Sequence, residues 1–85
     1  MPVLNITIRY FAGARAAAGR ESEVLGVQPG STVAELTQLL AQRHGSPLAR
    51  VLSAASVLVD GVVASPDTAL GDDTEVDVLP PFAGG

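Results

Sequence analysis

The chain ends in Leu79-Pro-Pro-Phe-Ala-Gly-Gly85, and the group in it best suited to chemistry is the α-carboxylate of Gly85. A terminal carboxylate has a reference pKa of about 3.3–3.7, so at neutral pH it is ionised and inert until another enzyme adenylates it. Pro80 and Pro81 stiffen the exit from the preceding segment and project the chain away from the body. Gly84 and Gly85 carry no side chain, so they can thread a narrow channel and adopt whatever backbone conformation it imposes. Many proteins end in frayed glycine-rich segments, so the pair is weak by itself and gains weight only from the domain it follows.

Other reactive groups are few. With no cysteine, disulfides, thiol nucleophiles and thiolate metal sites are excluded. The single histidine, His44, falls in the last turn of an expected helix, where a cation suits the negative end of the dipole. No serine sits in a nucleophile-elbow pattern, and no P-loop or dinucleotide fingerprint is present. Asp72, Asp73, Glu75 and Asp77 form an acidic cluster without Ca²⁺-loop spacing and read as a solvated strand face, so no metal site is expected. Arg15 and Arg20 can hold an anion, although surface solvation accounts for them as well. All five basic residues are arginines. Without lysine, the activated C-terminus would find only the N-terminal amine to acylate on its own chain.

The net charge of -4 argues against nucleic acid or an anionic membrane as partner and favours a basic protein surface. No apolar run approaches a membrane span and Met1-Pro2 leads straight into a strand pattern, so no targeting segment is read and a cytoplasmic setting is expected.

The elements that must position the tail follow from periodicity. At 85 residues the chain is one small domain. Apolar residues make up 47%, but the aromatics are only Tyr10, Phe11 and Phe82, so the core is aliphatic. Leu4, Ile6, Ile8 and Tyr10 alternate with polar residues in a first strand. Ala12 to Gly19 is read as a loop with one helical turn, and Glu21 to Gln28 as a second strand antiparallel to the first.

Thr32-Val-Ala-Glu35 is a capping box opening a helix whose Val33, Leu36, Leu39 and Leu40 form one stripe. Gly45 is expected as a left-handed C-cap, and Pro47 stops the helix. Leu48 to Ser53 can form a short second helix. Ser56 to Asp60 is a third strand, Asp60-Gly61 a hairpin turn and Val62-Val63 its return. Thr74 to Leu79 is the last strand, with Val76 and Val78 on one face and Glu75, Asp77 and Leu79 on the other. A hairpin, a crossing helix and a final strand beside the first predict an α+β, β-grasp arrangement: a mixed sheet of about five strands covered by one main helix. Residues 1–79 form that domain and residues 80–85 a flexible tail.

At this point the sequence resembles the MoaD/ThiS family of ubiquitin-like proteins, and in particular the small sulfur-carrier subunit of molybdopterin synthase. Four segments carry the resemblance: Arg9-Tyr-Phe-Ala-Gly-Ala-Arg15, Ser31-Thr-Val-Ala-Glu-Leu36, Asp72-Asp-Thr-Glu-Val76 and, most specifically, Pro80-Pro-Phe-Ala-Gly-Gly85. The resemblance implies that an E1-like enzyme adenylates Gly85 with ATP and magnesium, and that a sulfur donor turns the adenylate into a thiocarboxylate. Gly84 and Gly85 would then enter the large synthase subunit, where sulfur passes to cyclic pyranopterin monophosphate. It implies no cofactor bound by this chain and no catalysis by it alone.

The resemblance also implies partner contacts at Phe11, Val63 and Leu79 and along Pro80, Pro81, Phe82 and Ala83. Val63 is smaller than the leucine often found at that position. Phe11 and Leu79 fall on solvent-facing positions and so suggest a docking patch; the competing reading puts both in the core. Three other functions stay open: a carrier serving thiamine or cysteine synthesis, a ubiquitin-like modifier joined to lysines of targets, and a binding module with an incidental tail.

Overall fold

A computed structural model describes residues 3–81. Eight elements follow one another: β1 (Leu4–Tyr10), α1 (Gly13–Ala18), β2 (Ser22–Val27), α2 (Val33–His44), α3 (Ser46–Ala54), β3 (Ser56–Val59), β4 (Val62–Val63) and β5 (Thr74–Leu79). The five strands form one sheet in the order β2-β1-β5-β3-β4. β1 and β5 run parallel, whereas the β1–β2, β3–β4 and β3–β5 pairs are antiparallel. This is the expected ubiquitin-like β-grasp.

Period-two alternation decides which residues reach the core. Ile6, Ile8 and Tyr10 of β1 and Val76 and Val78 of β5 are essentially inaccessible and meet Val33, Leu36 and Leu40 of α2 and Leu48 of α3. The capping box that opens α2 is formed: the Thr32 hydroxyl accepts from the Glu35 amide, and the Glu35 carboxylate accepts from the Thr32 amide. The Asp60-Gly61 turn has φ of 49° and 83° at its two residues, the left-handed pair that matches the twist of a tight hairpin.

Several expectations change. The helix between Ala12 and Gly19 runs to six residues, more than the one turn expected, because Ala14 is fully buried and Gly19, at φ 77°, closes the helix with a bond to the Arg15 carbonyl. Gly45 ends α2 by donating to the Ala41 carbonyl, but its φ of 86° and ψ of -172° are not the left-handed helical cap. That backbone instead redirects the chain into α3, with Pro47 in the first turn where a missing amide costs nothing. α3 is accordingly longer than Leu48 to Ser53, and the sheet is covered by two helices of 12 and 9 residues. Leu39 lies at the margin of the α2 stripe and is 39% exposed. No described helix is long and apolar enough to cross a membrane.

Candidate functional site

The parallel pairing of β1 and β5 brings the end of both strands to one edge of the molecule. The Phe11 amide donates to the Val78 carbonyl at 3.3 Å, one step beyond the Tyr10–Val78 register pair. The chain therefore leaves β5, through Leu79 and Pro80, alongside Phe11. Both Phe11 and Leu79 are half-buried, and neither belongs to the buried core; by alternation they lie on the outer, helix-free face of the sheet. Pro80 is half-buried and Pro81 exposed. Phe82, Ala83, Gly84 and Gly85 lie outside the described residues.

Across the outer face, Arg9 is registered with Asp77, Asp77 with Leu58, and Leu58 with Val63. Val63 is 74% exposed. The face thus carries two apolar ends, Phe11 with Leu79 and Leu58 with Val63, separated by charge. Arg9 grips Asp77 through Nε and Nη2 at 2.7 and 2.8 Å and reaches Glu75 at 3.3 Å. Its guanidinium also lies 5.7 Å from the centre of the Phe11 ring. The bond to Asp77 holds Arg9 more firmly protonated than usual. Sequence reading missed Leu58, Arg9 and Asp77 as members of this surface. The signal was the shared parity of Arg9, Phe11, Asp77 and Leu79, but the strand pairing that aligns them is not written in any one segment.

The inner face holds a second polar arrangement. Glu23, on β2, points into the protein with its side chain 4% exposed and accepts from the Tyr10 hydroxyl at 2.6 Å and Arg43 Nε at 2.9 Å. His44 Nε2 lies 2.5 Å from the same carboxylate, and the His44 ring stands edge-on to Tyr10. Arg43 and His44 stand in the last turn of α2, as expected, and from there also bond this carboxylate. Burial alone would push Glu23 up, but the bonds from Tyr10, His44 and Arg43 outweigh it and hold the carboxyl below its usual range. Burial, and then the bond to Glu23, push the Tyr10 phenol well up. Arg15 and Arg20 make looser pairs, 3.6 Å to Glu21 and 3.7 Å to Glu23.

Among the described residues no buried side-chain nitrogen or oxygen lacks a hydrogen-bond partner, so the hub reads as a structural arrangement. Among the described residues no group of three or more His, Cys, Asp or Glu side chains is arranged to hold a metal ion. The described residues thus present an outer sheet face with two apolar ends beside the point where the chain leaves β5, and the reactive group expected from the sequence, Gly85, lies beyond them.

Comparison with solved structures shows the same fold at low identity. SAMP1 of Haloferax volcanii is 24% identical with a TM-score of 0.81, over 95% of this chain and 99% of that one. A Pyrococcus furiosus candidate for molybdopterin converting factor subunit 1 is 24% identical with a TM-score of 0.80, over 93% and 99%. A chain from the Helicobacter pylori complex of molybdopterin-converting factor subunits 1 and 2 is 19% identical with a TM-score of 0.67, over 96% and 100%. No curated protein matches the sequence. The ThiS family, however, matches residues 8–85, from the middle of β1 through the terminal Gly-Gly. The chain belongs to the ThiS family of ubiquitin-like proteins.

Proposed function

We propose that this protein is a sulfur carrier whose working group is the carboxylate of Gly85, and that it serves as the small subunit of molybdopterin synthase. The observation that carries the proposal is the exit of the Pro-Pro-Phe-Ala-Gly-Gly segment from β5 directly beside the outward Phe11. A partner gripping the apolar ends of the outer face would be in place to receive the tail.

The chemistry balances in three steps. An E1-like partner, using ATP and magnesium, joins the carboxylate to AMP and releases pyrophosphate. Sulfide-level sulfur displaces AMP and leaves a thiocarboxylate; if a persulfide delivers it, a thiol then cleaves the resulting acyl disulfide, releasing the thiocarboxylate and forming a disulfide. Transfer of that sulfur to the pterin precursor, with water supplying the oxygen, restores the carboxylate. A thiocarboxylate stays anionic at neutral pH and offers a far better nucleophile than carboxylate oxygen. Catalytic side chains then belong to the partners, and this chain is substrate and carrier. Association with a large subunit is supported by the two-subunit complex formed by the Helicobacter pylori relative.

The likeness to SAMP1, the small archaeal modifier protein 1 of Haloferax volcanii, favours a second reading in which Gly85 is joined to amines on targets. Intact mass spectrometry of protein from its native cell separates the two: exchange of one terminal oxygen for sulfur supports the carrier, and conjugates to heterologous lysines support the modifier. Deleting Gly85, or adding one residue after it, should abolish sulfur transfer while the circular dichroism spectrum and melting temperature stay unchanged. Restored cofactor synthesis by such a variant in a carrier-deficient strain would refute the proposal. Leu79→Asp should weaken large-subunit binding by at least about tenfold, since a charge in a desolvated contact costs more than about 1.4 kcal/mol. Calorimetric titration of the purified subunits would measure it.

A further inference from the structure

The charges of this chain are sorted along the sheet. Arg9 stands at the Tyr10 end of β1, and the Tyr10 amide donates to the Glu21 carbonyl at 2.8 Å, which brings Arg20 and Glu21 to the same end. Arg15 lines a cavity of about 240 Å³ with Arg9 and Phe11, and a second of about 590 Å³ with Arg20. The opposite end is acidic. There Asp72 accepts from the Asn5 amide at the start of β1, Asp60 accepts from the Glu75 amide at the start of β5, and Glu35 accepts from the Thr32 amide at the start of α2.

The chain leaves β5 at the cationic end, beside Phe11. Residues 80–85 follow Leu79 and, fully extended, reach about 20 Å. Arg9, Arg15 and Arg20 surround their point of departure. The start of β1 lies far from it: seven residues at about 3.3 Å each put Leu4 about 20 Å away along the strand. An amine preceding Leu4 therefore meets Gly85 only if the tail doubles back along the whole sheet. The cations within easy reach are arginines, because the chain contains no lysine. A guanidinium stays protonated and offers no lone pair to an acyl group, whereas a lysine amine, with reference pKa about 10.4, is free in about one molecule in a hundred at pH 8.5.

Resting on the reading of Gly85 as an activated acyl group, we propose that Arg15 and Arg20 determine where that group goes: they give the tail exit positive charge without a nucleophile, and so reserve the acyl carbon for the partner. Arg9 is held by Asp77 and Glu75, but Arg15 and Arg20 are half exposed and loosely paired, at 3.6 and 3.7 Å. A lysine at either position would meet the tethered carbonyl at an effective concentration of about millimolar. Its nitrogen would bond to the Gly85 carbonyl carbon, the activating group would depart with the bonding electron pair, and the ammonium so formed would lose a proton to water. The product is a lactam with no terminal carboxylate left to carry sulfur.

The test uses the full-length chain carrying a chemically made C-terminal thioester of a small thiol, so that no activating enzyme is needed. At pH 8.5 the wild-type thioester is expected to yield only the hydrolysed acid. Arg15→Lys and Arg20→Lys should accumulate a monomeric product lighter than that acid by one water, at least about tenfold faster than Asp67→Lys. Asp67 is the control because it adjoins Pro66, whose carbonyl accepts from the Ala34 amide at the start of α2, at the acidic end. Fragmentation mass spectrometry should place the new amide between Gly85 and the introduced lysine. Equal rates in all three lysine variants, or none above wild type, would overturn the proposal. So would an amide joining Gly85 to a residue before β1 in the wild-type chain. Any of these results leaves the sulfur-carrier reading standing, since deletion of Gly85 tests that reading separately.

Discussion

Arg9 and Tyr10 are neighbours in sequence, yet they belong to ionic arrangements on opposite faces of the sheet. Arg9 grips Asp77 on the outer face with ideal fork geometry and remains 44% exposed. Tyr10 turns inward to Glu23, where Arg43 and His44 complete a set of donors around a carboxylate almost sealed from water. Geometry alone would rank the outer pair first. Burial reverses the order: an exposed pair is solvated when broken, whereas a broken inner hub leaves polar groups without water or partner.

The largest test is Glu23→Ala, expected to cost about 3 kcal/mol in denaturant unfolding because it strands the Tyr10 hydroxyl and the His44 ring. Loss below about 1 kcal/mol would show that water enters the site readily. Tyr10→Phe should cost about 1.5 kcal/mol, the value of one hydrogen bond to a charged group, with the remaining donors still in place.

The pH dependence follows from the same hub. A carboxyl depressed in the folded state contributes stability that is present above its unfolded value, about 4.3, and is lost as pH falls through the folded value. The wild-type protein should therefore lose stability below about pH 4.3, and Glu23→Gln should lack that component in melts collected across the acid range. The Tyr10 phenol, raised in the folded state, contributes stability present below about pH 10 and lost as pH rises further. The smallest effect belongs outside: Asp77→Asn should leave the melting temperature nearly unchanged in moderate salt. A drop matching that of Tyr10→Phe would contradict the ranking by burial.

Much of the fold was legible because each local signal has a single strong cause. Alternation in Leu4 to Tyr10 and Thr74 to Leu79, the Thr32–Glu35 box and Asp60-Gly61 all formed as read. α1 exceeds the single turn expected because glycine at both ends of an alanine run argues against a long helix unless a core receives it, and Ala14 finds that core only in three dimensions. Gly45 was misread in detail because a positive φ is compatible with more than one ψ, and the start of α3 decides which. The bond between His44 and Glu23 is not predicted because the two lie 21 residues apart in sequence, and nothing local announces the contact.

The sequence by itself determined the order of elements, the aliphatic core, the absence of cysteine and lysine, and the Gly-Gly terminus that carries the proposed chemistry. These are properties of composition and short-range periodicity, which need no partner segment. Tertiary structure alone decided that the exit of the tail adjoins Phe11, that Arg9 separates two apolar ends of one face, and that Glu23 gathers donors from β1 and from the end of α2. Those relations arise from strand pairing and helix docking between residues far apart in sequence, so they exist only once the chain has folded.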